Sequence, residues 1–300
     1  MIRAGSELAV LSLLREATAA LETAGIETAR QDAEWLLAAL LGIERFSLYL
    51  DSGRELSAGE AARYRDLVGR RGAHEPLQYL TGFADFHGLR LRVTPDALIP
   101  RPETEGLVEW ALDILKKESA PMVADIGTGS GAIACALAHS LPRLEVLAVE
   151  RSLAALTVAS LNVGRLGLGR RVKLLAGDLL APLGLLRGLD MVIANPPYIP
   201  SALIGSLPPE VGEFEPRQAL DGGPDGMGVL RRIIATAPAV LRSGGWLLME
   251  IGDDQAGSLA SLMAAEGFVG MEARRDLRGV ERYIGGQWAE ASLPPPERRC

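Results

Sequence analysis

The sequence predicts an α/β protein: a doubly wound, mostly parallel sheet with an antiparallel last strand, preceded by a small helical bundle and a β-hairpin linker. Three observations predict it. Residues 1 to 72 carry apolar residues at helical spacing. From about residue 104, short apolar runs alternate with amphipathic stretches, as in parallel strands crossed by helices. The last two runs, "FVGMEARR" and "VERYIGG", have no helix-length gap between them, so they should pair antiparallel.

Taken in order, "SELAVLSLLREATAALETAG" reads as a helix ending at Gly25, and "TARQDAEWLLAALLG" as one running from a cap at Thr28 to Gly42. "SAGEAARYRDLVGRRG" opens with Ser57 and carries Glu60 three residues later, a capping box. Residues 73–101 change character. The alternation in "LRLRV", with Gly82 and Gly88 among aromatics, suggests a hairpin linker. Residues 102–288 form the α/β domain, with strands at "MVADIG", "EVLAVE", "RVKLLAG", "LDMVIAN" and "GWLLMEIG" before the final pair. Pro102, Glu103, Thr104 and Glu105 make a helix start, with acids at its positive end. The tail, residues 289–300, is expected to fray.

Composition narrows the function. The net charge is −7 and the pI about 5.2, and the helical region is mildly acidic too, which argues against generic binding to long nucleic acid. Cys135 and Cys300 form no disulfide framework, and His74, His87 and His139 are scattered, so no metal is expected. Cys135 falls on the apolar face of a predicted helix and reads as a buried hydrophobe. The N-terminal stretch lacks a signal-peptide core, and no apolar run reaches membrane-spanning length. The expectation is a cytoplasmic monomer with no membrane partner.

The first strand leads into "DIGTGSGAIA", residues 125–134, whose Gly127, Gly129 and Gly131 permit a tight turn onto a helix N-terminus. The second strand ends at Glu150, where a carboxylate can accept from ribose hydroxyls. The third ends in "AGDLL", so Asp178 is placed to take an adenine amine and Leu179 to wall the ring. A nucleoside-bearing cofactor follows from the three together. Whether it is a nicotinamide dinucleotide or S-adenosylmethionine does not.

The fourth strand runs into Asn195-Pro196-Pro197-Tyr198. Neither proline donates to a sheet, so the strand stops there. Asn195 offers a side-chain carbonyl and Pro196 a backbone carbonyl whose direction the paired rings fix, while Tyr198 offers a flat face for stacking. Two acceptors and a flat face suit a planar, conjugated NH₂ group: an amide, or the amine of a nucleobase.

At this point the chain resembles the bacterial peptide-chain release factor glutamine N5-methyltransferases. The resemblance rests on "EPLQYLTG" (75–82), which looks like the family's hairpin motif, and on "LIPRPETE" (98–105), "DIGTGSGAIA", "ANPPYIP", "FEPRQALDGGPDG" (214–226) and "DLRGVER" (276–282), in the family's order. It implies a class I S-adenosylmethionine-dependent methyltransferase domain after a helical substrate-recognition domain. It also implies methylation of the glutamine in the Gly-Gly-Gln loop of release factors, with S-adenosylhomocysteine as product. Gly127, Thr128, Gly129, Ser130 and Gly131 match the cofactor loop, with Glu150 at the ribose position. Asn195, Pro196, Pro197 and Tyr198 match the substrate site. Asn195, Pro196 and Tyr198 would serve catalysis, with Asn195 also beside the cofactor. Two departures are Glu150, where aspartate is more common, and Gly212, where a basic residue is common.

Three rivals remain at this level. The same corner could hold an exocyclic base amine of RNA or DNA, the glycine loop alone would admit a dinucleotide oxidoreductase, and a cofactor-free adaptor could keep the fold. The chain's own Gly285-Gly286-Gln287 is expected to follow the last strand, and a chance tripeptide is the better reading than self-methylation.

Overall fold

A computed structural model describes residues 8–50, 54–184 and 186–289. Residues 290–300 of the expected tail, Cys300 among them, lie outside the described residues. The chain divides into two units, one holding the residues up to Phe83 together with Pro208–Phe214, the other holding Ala84–Leu207 and the residues from Glu215 on.

The first unit is helical. It contains α1 (Val10–Thr23), α2 (Ala29–Leu41), α3 (Ser47–Leu50), α4 (Ala58–Gly72) and α5 (Leu77–Thr81). Leu13 and Leu21 of α1, Leu36 and Leu37 of α2 and Tyr64 of α4 form its core. The capping box is present: Ser57 Oγ accepts from the Glu60 N–H, and the Glu60 carboxylate accepts from the Ser57 N–H at 2.8 Å. Thr28 stands at the N-cap of α2, but its side chain makes no capping bond. "EPLQYLTG" is not hairpin but one helical turn, because Pro76 starts it and Gly82, at φ 80°, ends it.

The hairpin is confined to β1 (Phe83–Phe86) and β2 (Leu89–Arg92). Beyond it come α6 (Pro102–Leu115), β3 (Met122–Ile126), α7 (Ala132–Ser140), β4 (Glu145–Glu150), α8 (Leu153–Arg165), β5 (Val172–Ala176) and β6 (Leu189–Ala194). The turn α9 (Pro209–Gly212) then belongs to the helical unit, where Glu210 meets the buried Arg71 at 2.6 Å, and Arg71 also meets Asp32 at 2.7 Å. Gly212 closes α9, and Glu210 of that turn carries an ion pair. The chain resumes with α10 (Gly228–Thr236), β7 (Leu241–Glu250), α11 (Ala256–Ala265), β8 (Phe268–Arg275) and β9 (Glu281–Trp288).

The sheet order is β5-β4-β3-β6-β7-β9-β8. The first five strands are parallel, and β9 pairs antiparallel with both β7 and β8, as expected. Strands such as "LDMVIA" are buried at every apolar position because helices cover both faces. The strand order reverses between β3 and β6, so a crevice opens where both strands end. Among the described residues no helix is long and apolar enough to cross a membrane.

Gly285-Gly286-Gln287 does not follow the last strand; it lies within β9, paired with Leu248, Leu247 and Trp246. Glycine is needed there because a Cβ at Gly285 would sit 2.3 Å from Leu248 Cδ2 and 2.7 Å from the Trp110 ring. Gln287 Nε2 donates to the Gly244 carbonyl. A Gly285→Ala substitution is therefore expected to lower unfolding free energy by about 1–3 kcal/mol through overpacking, read as a lower urea midpoint at unchanged slope.

Candidate active site

Five parallel strands finish on one edge of the sheet, and each finishes in or beside a polar side chain. A cavity of about 340 Å³ opens along that edge. Among its lining residues are Gly127, Gly129, Glu150, Asp178, Leu179, Asn195, Pro196 and Pro197. Four separate loops thus bring together most of the residues singled out from sequence.

The glycine loop after β3 turns through left-handed conformations, with φ of 72° at Gly127, 55° at Gly129 and 81° at Gly131. L side chains rarely adopt these angles. Thr128, Ser130 and Gly131 build the turn rather than line the cavity. Thr128 Oγ1 donates to Asp125 Oδ2 at 2.5 Å, and Asn162 Nδ2 donates to the Ser130 carbonyl at 2.8 Å. Gly131 gives close packing, since a Cβ there would lie 3.3 Å from the Ala159 methyl.

Glu150 is buried, and backbone amides hold both its oxygens: Gly129 N–H donates to one at 3.0 Å and Ser152 N–H to the other at 2.8 Å. The extra methylene relative to aspartate lets this carboxylate span from the end of β4 to the glycine loop. Each oxygen keeps a further lone pair for a ligand hydroxyl. Asp178, two residues beyond β5, is half-exposed and takes the Arg232 guanidinium at 2.5 Å. Leu179 carries φ 50°, a costly left-handed conformation for a leucine, held at the cavity wall.

Asn195 follows the last residue of β6. Its Nδ2 donates to Thr104 Oγ1 at 3.0 Å, and Thr104 Oγ1 donates to Glu250 Oε2 at 2.7 Å. No described residue donates to Asn195 Oδ1 or to the Pro196 carbonyl. Tyr198 stands outside the cavity lining, with its hydroxyl donating to Glu250 Oε1 at 3.2 Å. Burial pushes its phenol up, and the neighbouring Glu250 charge adds to this. Its backbone carbonyl accepts from Gln255 Nε2 at 3.1 Å. The "DGGPDG" segment lies against the corner: a Cβ at Gly226 would sit 2.2 Å from the Tyr198 carbonyl oxygen, and one at Gly222 2.8 Å from that of Pro197.

Of the "RPETE" segment, the cavity touches only what precedes it, Asp96, Ala97 and Leu98. Arg101 pairs instead with the buried Glu215, and Glu105 accepts from the His87 N–H at 2.9 Å. Pro102 does open α6 with acids in its first turn, as the sequence suggests. Sequence reading missed Thr104 and Glu250. Glu250 was findable by the rule that singled out Glu150, being an acid at the carboxyl end of a buried strand. Thr104 had no signal beyond its place in a helix start. Cys135 is buried in α7, which raises its thiol to about 12 and leaves it inert. No cluster of metal-ligating side chains occurs among the described residues.

Residues 12–82 match the family described as PrmC N-terminal domain, and residues 109–202 match the methyltransferase small domain. A release factor glutamine methyltransferase of Geobacter sulfurreducens is 46% identical over 263 residues, covering 88% of this chain and 91% of that protein. One of Moorella thermoacetica is 48% identical over 254 residues, covering 85% and 89%. The catalytic domain of hMettl16 superposes with a TM-score of 0.58 at 19% identity, covering 88% of this chain and 95% of that one, a likeness of fold.

One buried group makes a pH prediction. Burial pushes the Asp125 carboxyl from 3.8 up to about 7, against the bonds from Thr128 and the Ala134 N–H, and its Oδ1 has no partner among the described residues. An acid whose folded value is raised holds its proton in the folded state while the unfolded chain has lost it. Stability relative to Asp125→Asn should therefore fall as pH rises from about 4 to about 7 and level off above. Thermal melts of both proteins across that range check it.

Proposed function

The chain belongs to the release factor glutamine methyltransferase family, and from that premise we propose that it transfers a methyl group from S-adenosylmethionine to the side-chain amide nitrogen of the glutamine in the Gly-Gly-Gln loop of release factors. The observation that carries this reading is the pair of acceptors at the cavity wall. With Asn195 Nδ2 engaged by Thr104, its Oδ1 and the Pro196 carbonyl are both open to donors.

The residues present fit the cofactor. Glu150 would hold ribose hydroxyls, Asp178 the adenine amine and Leu179 the face of the ring. Gly127 and Gly129 contribute backbone rather than side chain to the cavity. Bound there, S-adenosylmethionine supplies a methyl group on a sulfonium centre, an electrophile that needs no further activation.

The chain's own task is to make a poor nucleophile react. An amide nitrogen has its lone pair delocalised into the carbonyl. Asn195 Oδ1 and the Pro196 carbonyl take one hydrogen each, which holds the NH₂ in a fixed plane with its lone pair directed out of it. The same acceptors stabilise positive charge growing on that nitrogen. Asn195 is neutral and no strong base, so the proton leaves late in the transfer or after it. We assign residues 1–72 to release-factor recognition, residues 73–101 to a linker and residues 102–288 to catalysis.

The direct test is mass spectrometry of a release factor incubated with the protein and S-adenosylmethionine. A gain of one methylene on the Gly-Gly-Gln peptide is expected. No gain with cofactor bound would move the assignment to a nucleobase amine. Asn195→Ala should leave cofactor affinity nearly intact and cut turnover by about a hundred- to a thousandfold. Glu150→Ala should do the reverse, weakening cofactor binding by about ten- to a hundredfold through loss of charge-assisted hydrogen bonds. Calorimetric titration beside single-turnover rates separates the two.

A further inference from the structure

We propose that Glu250 and Thr104 are positioning residues that set which end of the Asn195 amide faces the substrate. The proposal rests on the reading of the corner as an amide-methylating site.

Glu250 is the last residue of β7, one place beyond the Ala194–Met249 pair, so it stands beside Asn195 at the sheet edge. It is 1% exposed. An ionised carboxylate only accepts, and Glu250 accepts at both oxygens, from Thr104 Oγ1–H and from Tyr198 Oη–H. Thr104 has one hydroxyl proton. Once Glu250 takes it, the oxygen toward Asn195 presents only lone pairs, and Asn195 must answer with its NH₂. That orientation turns Oδ1 away from Thr104 and leaves it available in the residue's cavity-lining position. Reversed, the amide would meet the substrate NH₂ with a donor, and two donors repel.

The same carboxylate fixes the Tyr198 ring through its hydroxyl. One buried charge thereby orders both side chains of the corner through two separate arms. It faces Thr104 and Glu103 from α6, Tyr198 from the loop after β6, and Arg282 and Tyr283 from β9. Burial pushes the Glu250 carboxyl up, while the Thr104 and Tyr198 hydrogen bonds and Arg282 pull it down. Protonation would give Glu250 a donor of its own and release Thr104 to donate toward Asn195. Turnover should therefore fall on the acid side as Glu250 takes up its proton.

The test combines Thr104→Val, Thr104→Ser and Glu250→Gln in the full-length protein. Thr104→Val and Glu250→Gln should lower kcat by about ten- to a hundredfold with cofactor affinity unchanged, the scale typical of groups that orient a working side chain. Thr104→Ser should stay within about threefold, and Glu250→Gln should lose the acid limb of the pH profile. A Thr104→Val protein with wild-type kcat, or an acid limb unchanged in Glu250→Gln, would overturn the relay. An independent readout is the Asn195 side-chain NH₂ resonance, assigned by its loss in Asn195→Ala. It should shift in Thr104→Val and hold in Thr104→Ser, and an unmoved resonance in Thr104→Val refutes the relay whatever the substrate. A release factor left unmethylated by the wild-type protein, with the resonance still shifted in Thr104→Val, would refute the amide-methylating reading and keep the relay.

Discussion

A buried parallel sheet has to deliver the carboxyl ends of its strands to one edge, and the rest of this active site depends on that constraint. Helices cover both faces, so only the edges remain for polar side chains. Here Asp125, Glu150, Asp178, Asn195 and Glu250 stand at or just past the ends of five adjoining strands. Burying such groups without partners would be costly. Each ties down a neighbour: the turn onto α7, the glycine loop, α10, Thr104, and the Thr104–Tyr198 pair. The hydrogen bonds that satisfy the strand ends also fix the shape of the cavity.

The loops opposite are shaped by close approach. Gly222 and Gly226 allow the "DGGPDG" segment to lie against the carbonyls of Pro197 and Tyr198, where any Cβ would collide with backbone. The Ile199 N–H donates to the Leu220 carbonyl and the Gly222 N–H returns to that of Ile199. The proline pair sets the direction of the corner, and this segment holds it there. Rigid support of that kind is what a site needs when its chemistry comes from placing acceptors rather than from a strong base.

In the helical unit a comparable burden falls on Arg71. Its guanidinium is buried and meets Asp32 of α2 and Glu210 of α9, two acids far apart in sequence. A buried ion pair adds little net stability over a well-packed apolar contact, but loss of one member leaves an unpaired charge. The helical spacing of Ala61, Tyr64 and Val68 continues to Arg71 and puts it on the buried face of α4, whereas its neighbour Arg70 pairs with Glu75 and is far more exposed.

The sequence by itself determined the elements and the chemistry they carry. Helical spacing, apolar runs, Gly127 and Gly129, the acids closing β4 and β5, and the proline stop after Asn195 are local signals. Each states a backbone preference or a hydrogen-bonding capacity that no distant residue has to supply. What only the tertiary structure decided is how those capacities are directed. Residues 104, 195, 198 and 250 meet because α6, the loop after β6 and the end of β7 converge. Leu77–Thr81 becomes a helical turn, and Gly285 a place for Trp110 and Leu248 to pack. A hydrogen bond takes its direction from the partner as well as from the donor, and partners separated by ninety-one or one hundred and forty-six positions exist for one another only in the folded chain.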